Sequence, residues 1–580
     1  MTHRHATDLS RYREPLLAIL TEIVAHPDLT RRAYTRLLRQ HQKDGQGFFS
    51  ADDLVAGYRL FAEQEGLLPF DPAVLDRIRL KPIRTASGVT PLTLFTKPFP
   101  CPGECIFCPN DVRMPKSYLR DEPGAQRAEA HQFDPYRQTY MRLQSFQNTG
   151  HPTDKIELII LGGTWSFYPE SYQIWFVARA FQALHDFGAG RPPAIDPTPP
   201  LIPIHTVGEG TYNQQIQALY GEQLRRDSQL EAATWAELYA LHQINESSAC
   251  RCVGLVIETR PDYTTPEEVI RLRRLGCTKV QLGFQSLSDR ILRLNKRGHT
   301  VNAIRKSVKL FRSAGFKIHA HWMPNLLGAT PDSDREDYAL LFTDPDFRPD
   351  ELKIYPCSLI ESAELMRFYE RGEWSPYSTE SLTELIVNCL VATPEYCRLT
   401  RVIRDIPGTD IVVGNKVTNL RQVAELELKR RGQRSVDIRA REVGHAEIDP
   451  ATLILDQVEY ESSAGREFFL QYIVQESRQI AGFLRFLLPS DRAFIGELDG
   501  AALIREVHIY GQQLSLGQRS AGRAQHSGLG SRLIEVAVEV AKAAGYTRIA
   551  VISAVGTRGY YRQRGFQDGA LYQVRDLAEG

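Results

Sequence analysis

The 580 residues carry 70 basic and 70 acidic side chains, with 42% hydrophobic and 24% charged residues. That length predicts two to four domains with ample core, and zero net charge excludes a chain basic throughout, so any nucleic-acid contact must come from local patches. Nine mostly scattered cysteines argue against a disulfide framework and for a reducing compartment; with a polar start, Met1-Thr-His-Arg-His5, and no apolar run of membrane-spanning length, no membrane contact and a cytoplasmic location are expected.

Residues 1–80 read as a helical N-terminal region. Pro15–Val24 has an amphipathic pattern, Thr30 caps a second helix, and Ser50-Ala-Asp-Asp53 opens a third with acids in its first turn. The second helix carries Arg31, Arg32, Arg36, Arg39 and Lys43 without an acid. Such a stripe either grips phosphates or is a solvated helix face.

Residues 81–385 alternate strands and helices. The strands are Leu92–Phe95, Ile156–Leu161, Cys252–Glu258, Lys279–Gly283, Lys317–His321 and Glu351–Tyr355, separated by patterns such as Thr265–Leu275 and Val301–Ala314. Six parallel βα units predict an α/β fold, a partial (β/α)6 barrel with its chemistry at the C-terminal mouth. Directly after the first strand comes Cys101-Pro-Gly-Glu-Cys105-Ile-Phe-Cys108. A four-iron cluster normally takes four thiolates, so Cys101, Cys105 and Cys108 leave one iron open to chelate a small molecule. A zinc site would want a fourth Cys or His at short spacing, and the nearest downstream His is His131.

Between strands one and two, Arg113, Lys116, Arg120, Arg127, Arg137 and Arg142 interleave with Tyr118, Phe133, Tyr136 and Tyr140, either a base-stacking groove or core aromatics beside surface charges. The second strand runs into Gly162-Gly163-Thr164, the third into Glu258-Thr-Arg260-Pro-Asp262 and the fourth into Phe284-Gln285-Ser286. Residues 188–249 break the rhythm with a Pro-rich run from Arg191, and are expected to be an insertion with helices near Asn213–Arg226 and Ala232–Ile244. His319 and His321 share one strand face; with Cys357 and Cys397 they form either a structural zinc site or four unconnected side chains.

Residues 386–445 form a basic connector, with Arg398, Arg401, Arg404, Lys416, Arg421, Lys429, Arg430, Arg431, Arg434, Arg439 and Arg441. Residues 446–580 change chemistry. A strand, Leu503–Tyr510, precedes a Gly/Ser/Gln loop, then Gln525-x-x-Gly528-x-Gly530, a helix Ser531–Ala544, a strand Arg548–Ser553 and Tyr560-Tyr561-Arg562 with Gly565-Phe566. Glycines opening a helix expose backbone N–H groups at its positive end, which suits a pyrophosphate.

The cysteine spacing resembles the radical S-adenosylmethionine (SAM) superfamily, and the ordered set in 446–580 resembles the Gcn5-related N-acetyltransferase fold. Thr164 replaces the glutamate of the superfamily's "GGE"-type motif. Their fusion resembles the family of Elongator catalytic subunits in its stand-alone bacterial or archaeal form. Supporting runs include Ile257-Glu-Thr-Arg-Pro-Asp-Tyr263, Asn295-Lys-Arg-Gly-His-Thr300 and Asp437-Ile-Arg-Ala-Arg-Glu-Val-Gly444. The resemblance implies an enzyme that makes 5-carboxymethyluridine at the wobble position of tRNA, with the anticodon loop as partner, the helical N-terminal region as a tRNA contact, and an electron donor it does not identify. It implies a [4Fe-4S] cluster on Cys101, Cys105 and Cys108, SAM on the open iron, and acetyl-CoA. In this scheme a deoxyadenosyl radical takes hydrogen from the acetyl methyl, the carbon radical adds to uridine C5, and hydrolysis leaves the carboxymethyl group. Lys155 would contact acetyl-CoA from the barrel; Glu506, Val507, His508 and Ile509 would pair with pantetheine; Leu529, Gly530 and Ser531 would bind pyrophosphate; Tyr561 would lie by the thioester. The rival reading is a protein lysine acetyltransferase with a structural cluster.

Overall fold

The computed structural model describes residues 11–41, 48–79, 88–194, 210–444, 449–510 and 528–577. Lys43, Gln525, Ser527 and part of the Pro-rich run lie outside the described residues. No helix among the described residues is long and apolar enough to cross a membrane.

The expected parallel sheet is present, with strands β1 (Thr90–Phe95), β2 (Lys155–Leu161), β3 (Arg251–Thr259), β4 (Lys279–Gln285), β5 (Lys317–Trp322) and β6 (Glu351–Ile354) side by side in chain order. A seventh strand, β7 (Arg398–Arg401), joins the β6 edge from within the basic stretch. Its sequence, Arg-Leu-Thr-Arg, has one apolar residue and so lacks a strand pattern. β1 and β7 do not pair, so the barrel stays open along that side.

The strands alternate. Ile156, Leu158 and Ile160 of β2, Val280, Leu282 and Phe284 of β4, and Ile318, Ala320 and Trp322 of β5 are buried in the core beneath the outer helices. The alternate residues point into the lumen by period 2, and most are polar: Lys155 and Glu157, Lys279 and Gln281, His319 and His321, then Glu351 and Lys353 on β6. Their contacts run across the lumen. Lys279 Nζ lies 2.8 Å from Glu157 and 3.2 Å from Glu351. His319 Nδ1 is 3.3 Å from Glu351, and its Nε2 is 2.8 Å from Thr400 Oγ1. This crossbar links β2, β4, β5, β6 and β7 near their N-terminal ends.

A second seven-stranded sheet follows, built from β8 (Leu453–Ser462), β9 (Gly465–Val474), β10 (Ile480–Pro489), β11 (Ala501–Ile509), β12 (Arg548–Val551), β13 (Gln567–Asp568) and β14 (Gln573–Asp576). Its order is β13-β14-β12-β11-β10-β9-β8, with only β11 and β12 parallel. The helix Leu529–Ala543 buries Leu533, Ile534, Ala537, Val538 and Ala541 against one face. The other face meets the N-terminal foot of the barrel. Lys317 Nζ bonds Glu506 at 2.7 Å. Arg505 donates to Asp350 at 3.1 and 2.5 Å and to Glu467 at 2.8 Å, and Arg485 Nε donates to Glu506 at 3.0 Å. A Cβ built on Gly556 would stand 2.7 Å from Arg251 Cβ, so only glycine allows this turn to touch the foot of β3.

The N-terminal helices Arg13–Ala25, Arg31–Gln40, Ala51–Arg59 and Pro72–Ile78 form a separate small core. Thr30 and Ser50 cap as expected, each accepting from the backbone three residues on. Arg32, Arg36 and Arg39 are exposed.

Candidate cofactor sites at the two ends of the barrel

The mouth pocket is lined by Cys101, Cys105 and Cys108 with Gly163, Thr164, Glu258, Arg260, Gly283, Gln285 and Arg297. Strand ends deliver these side chains to one place, as the βα order requires. The three cysteines are buried. Arg297 Nη1 donates to Cys105 Sγ at 3.4 Å, and Ser117 Oγ lies 3.2 Å from Cys108 Sγ. Cys105 is held well below the usual thiol range, first by the hydrogen bond from Cys108 and then, against burial, by Arg297 and Arg260. Among the described residues no three His, Cys, Asp or Glu side chains converge closely enough for one metal ion. A cubane takes one thiolate per iron, so sulfurs spread along one loop suit a cluster where they would not suit zinc. Arg260 Nη1 and Gln285 Oε1 are buried without a partner, and each lies in the pocket wall where a bound anion and a bound donor would satisfy them. The residues present therefore fit a three-cysteine cluster carrying a small zwitterion.

The loop is held by a residue the sequence does not flag. In the helix Tyr212–Leu230, Asn213 Oδ1 accepts from Cys101 N–H at 2.8 Å and its Nδ2 donates to Cys101 C=O at 2.8 Å. Tyr212 OH donates to Met114 C=O at 2.8 Å. Lys97, just before the loop, pairs with Asp227 at 3.3 Å and with Glu231. The insertion thus straps both flanks of the cysteine loop.

The foot site is built on β11. Its first half pairs with β12 through Ala501–Ile504, whereas Glu506–Ile509 pair only with β10. Among the described residues, no second strand pairs with Glu506–His508 on their other side, and a strand edge of this kind accepts an extended ligand backbone. Val507 and Ile509 pack toward the helix Leu529–Ala543. Glu506 and His508 face the barrel, where burial lowers His508 to about 4 against the pull of Glu506. Gly528 enters the helix at φ 75° with no side-chain cap, leaving the N–H groups of Leu529, Gly530 and Ser531 at the terminus. A side chain on Gly530 would meet the hydroxyl of Tyr560. Tyr561 is buried beside Phe566. Lys155, at the first position of β2, pairs in register with Arg251, the residue that Gly556 touches. It has no ion-pair partner among the described residues, and burial lowers its proton affinity. Lys155 therefore stands at the foot of the barrel, on the strand end beside the one that meets the turn at Gly556.

The predicted residues thus fall into two groups at opposite ends of strands about 20 Å long, joined by the polar lumen. Other patches do not gather. Phe133, Tyr136 and Tyr140 are buried core, and Tyr118 OH is spent on Glu258 at 2.7 Å, so the aromatic run is no stacking platform. Arg398, Arg401, Arg404, Arg421 and Arg431 are paired with Glu442, Asp405, Glu122, Glu425 and Glu384. His319 and His321 bond Thr400 and Gln281 in the lumen, while Cys397 and Cys357 sit in two separate cores.

The sequence matches the Radical SAM superfamily over residues 208–341 and the Radical_SAM C-terminal domain over residues 349–430. It is 37% identical to the tRNA uridine(34) acetyltransferase of Dehalococcoides mccartyi over 85% of this chain and 99% of that one. It is 36% identical to the enzyme of the same name from Methanocaldococcus infernus (86% and 88%), and 33% identical to human Elongator complex protein 3 (87% of each). The fold is similar to that of the archaeal M. infernus Elp3 with its N-terminus deleted, with TM-score 0.66 and 31% identity over 84% of this chain and 99% of that one.

Proposed function

Because this chain belongs to the family of tRNA uridine(34) acetyltransferases and Elongator complex protein 3, we propose that it modifies the wobble uridine of tRNA with an acetyl-derived group, and that the product is 5-carboxymethyluridine. The observation that carries this reading is the presence of a three-cysteine pocket and of a strand, β11, whose pairing with β12 stops at Ile504, at the two ends of one lumen. Its cofactors are a [4Fe-4S] cluster, SAM and acetyl-CoA. Cysteines 101, 105 and 108 would hold the cluster, which with SAM supplies a carbon radical able to take hydrogen from an acetyl methyl group.

The remaining work belongs to the chain. Arg260 and Arg297 orient the pocket's anionic ligand. The edge of Glu506–Ile509 aligns pantetheine, and Leu529, Gly530 and Ser531 receive pyrophosphate at a helix N-terminus. Lys155 and Tyr561 flank the thioester, Lys155 as a donor to its carbonyl and Tyr561 beside its sulfur. Residues 81–385, with the insertion at 188–249, would form the radical domain, 386–445 the connector that also lends β7, and 446–580 the acetyltransferase domain. Residues 1–80 would grip tRNA through Arg32, Arg36 and Arg39.

The test is nucleoside mass spectrometry after anaerobic incubation with unmodified tRNA, SAM, reductant and acetyl-CoA labelled in its methyl carbon. Label in the wobble uridine is expected. An intact reduced cluster with no label in uridine would sink the proposal, and label on protein lysines instead would favour the rival acetyltransferase.

A further inference from the structure

Two lysines in the lumen have opposite surroundings. Lys279 is clasped by Glu157 and Glu351, and although burial works against its charge, these carboxylates raise its proton affinity. Lys353, two positions further along β6 than Glu351, has no carboxylate at ion-pair distance among the described residues. Its Nζ donates to Gln281 Oε1, an amide oxygen already engaged by His321 Nε2 at 2.9 Å. A half-buried ammonium in the lumen whose hydrogen-bond acceptor is one shared amide is poorly compensated, and a fold has no need of it.

Register fixes its height. Lys353 pairs with His321, and His321 with Gly283, which lines the cysteine pocket. Lys353 thus stands level with the pocket wall, above the crossbar. It is half-buried, as is Tyr355, and Arg401 beside it is exposed on β7 at the barrel's open side. A flat ring entering between β7 and β1 would meet Lys353 as it approaches the cysteines.

Resting on the function above, we propose that Lys353 is a catalytic residue, the acceptor of the proton that the uracil ring loses when its new carbon–carbon bond forms. When a CH2 radical adds to C5, the unpaired electron moves to C6. Restoring the C5=C6 double bond requires C5–H to break, its proton passing to Lys353 Nζ and one electron leaving to a one-electron acceptor of the iron–sulfur class in its oxidised form. The groups around Lys353 suit this exchange. Burial, joined by Arg401 and Lys279 and opposed by Glu258 and Glu351, brings it to about 7, and His319 and His321 face it as neutral imidazoles because burial holds both well below their usual range. An acceptor matched to ambient pH transfers protons best.

The experiment compares Lys353→Met and Lys353→Arg with the parent enzyme, all cluster-loaded, using anticodon stem-loop RNA, SAM, reductant and acetyl-CoA labelled with 13C in the methyl group. Arginine keeps the charge but does not take a proton. Both variants are expected to form 5′-deoxyadenosine, to lose modified uridine by about 100-fold or more, to accumulate an organic radical broadened by 13C in electron paramagnetic resonance, and to lack the rise in rate through about pH 7 that is expected of the parent. Product formation within threefold of the parent with an unchanged pH profile would overturn the assignment, and so would loss of 5′-deoxyadenosine or of cluster absorbance, which would make Lys353 a support of the SAM site. A parent enzyme that labels no uridine would instead overturn the function on which this rests.

Discussion

Asp350→Asn is the most exposing single change at the junction of the two domains. Asp350 and Arg505 are fully buried. The carboxylate receives both terminal nitrogens of Arg505 and the N–H of Ile318 at 2.8 Å, and Arg485 Nη1 stands 3.4 Å away. Three arginines (312, 485 and 505) and Lys317 here face three carboxylates (Asp350, Glu467 and Glu506), so neutralising one adds to an excess of positive charge. Breaking such a pair costs about 3–5 kcal/mol, far above the value of a surface pair. Urea unfolding at pH 7, followed by tryptophan fluorescence, reads the loss, since Trp322 lies on β5 close to Ile318. Arg505→Met placed on Asp350→Leu should restore more than half of it, because the double change removes both charges. Burial raises the Asp350 carboxyl, but Arg505, Arg485 and Arg312 outweigh it and hold it well below its usual value of 3.8. Its native proton affinity is depressed, so its contribution is present above pH 3.8 and fades as pH falls below that value. A cost under about 1 kcal/mol for Asp350→Asn, the value of an exposed pair, would refute the reasoning, as would a double variant less stable than the single.

Three further outcomes are expected. Cys105→Ser should abolish the brown colour and 5′-deoxyadenosine formation while acetyl-CoA binding, measured by calorimetry, stays within twofold. Asn213→Leu removes both hydrogen bonds to the Cys101 backbone, so iron should leave to a chelator several times faster with no change in acetyl-CoA affinity; equal rates would show the strap to be inert. Gly530→Val drives a side chain into the hydroxyl of Tyr560 at the terminus that receives pyrophosphate, and should weaken acetyl-CoA binding by about tenfold or more, equivalent to 1.4 kcal/mol, with the cluster spectrum unchanged.

Much of the barrel is legible because alternation is written into its strands. Lys279-Val-Gln-Leu-Gly-Phe-Gln285 and Lys317-Ile-His-Ala-His-Trp322 give an apolar face for the helices and a polar one for the lumen. Reading His319 and His321 alone as a pair misses this; comparing strands side by side reveals Gln281, His319 and Glu351 at matching positions. β7 is hidden because a short edge strand with a single leucine leaves no periodicity. Asn213 is hidden for a different reason. Its bond to Cys101 spans 112 residues, and a side chain that completes a distant backbone has no local signature. The role proposed for Lys155 depends on which end of the barrel the second domain covers, and the contacts of Gly556, Lys317 and Asp350 at that end join residues far apart in the chain.

The Lys279–Glu157–Glu351 crossbar also bears on the proposed function. Free coenzyme A is a thiol, and thiols readily surrender hydrogen atoms to carbon radicals. With acetyl-CoA at the foot and SAM at the mouth, as proposed, these three side chains would stand between the thiol and the radical, and an acyl arm reaching the mouth would have to pass them.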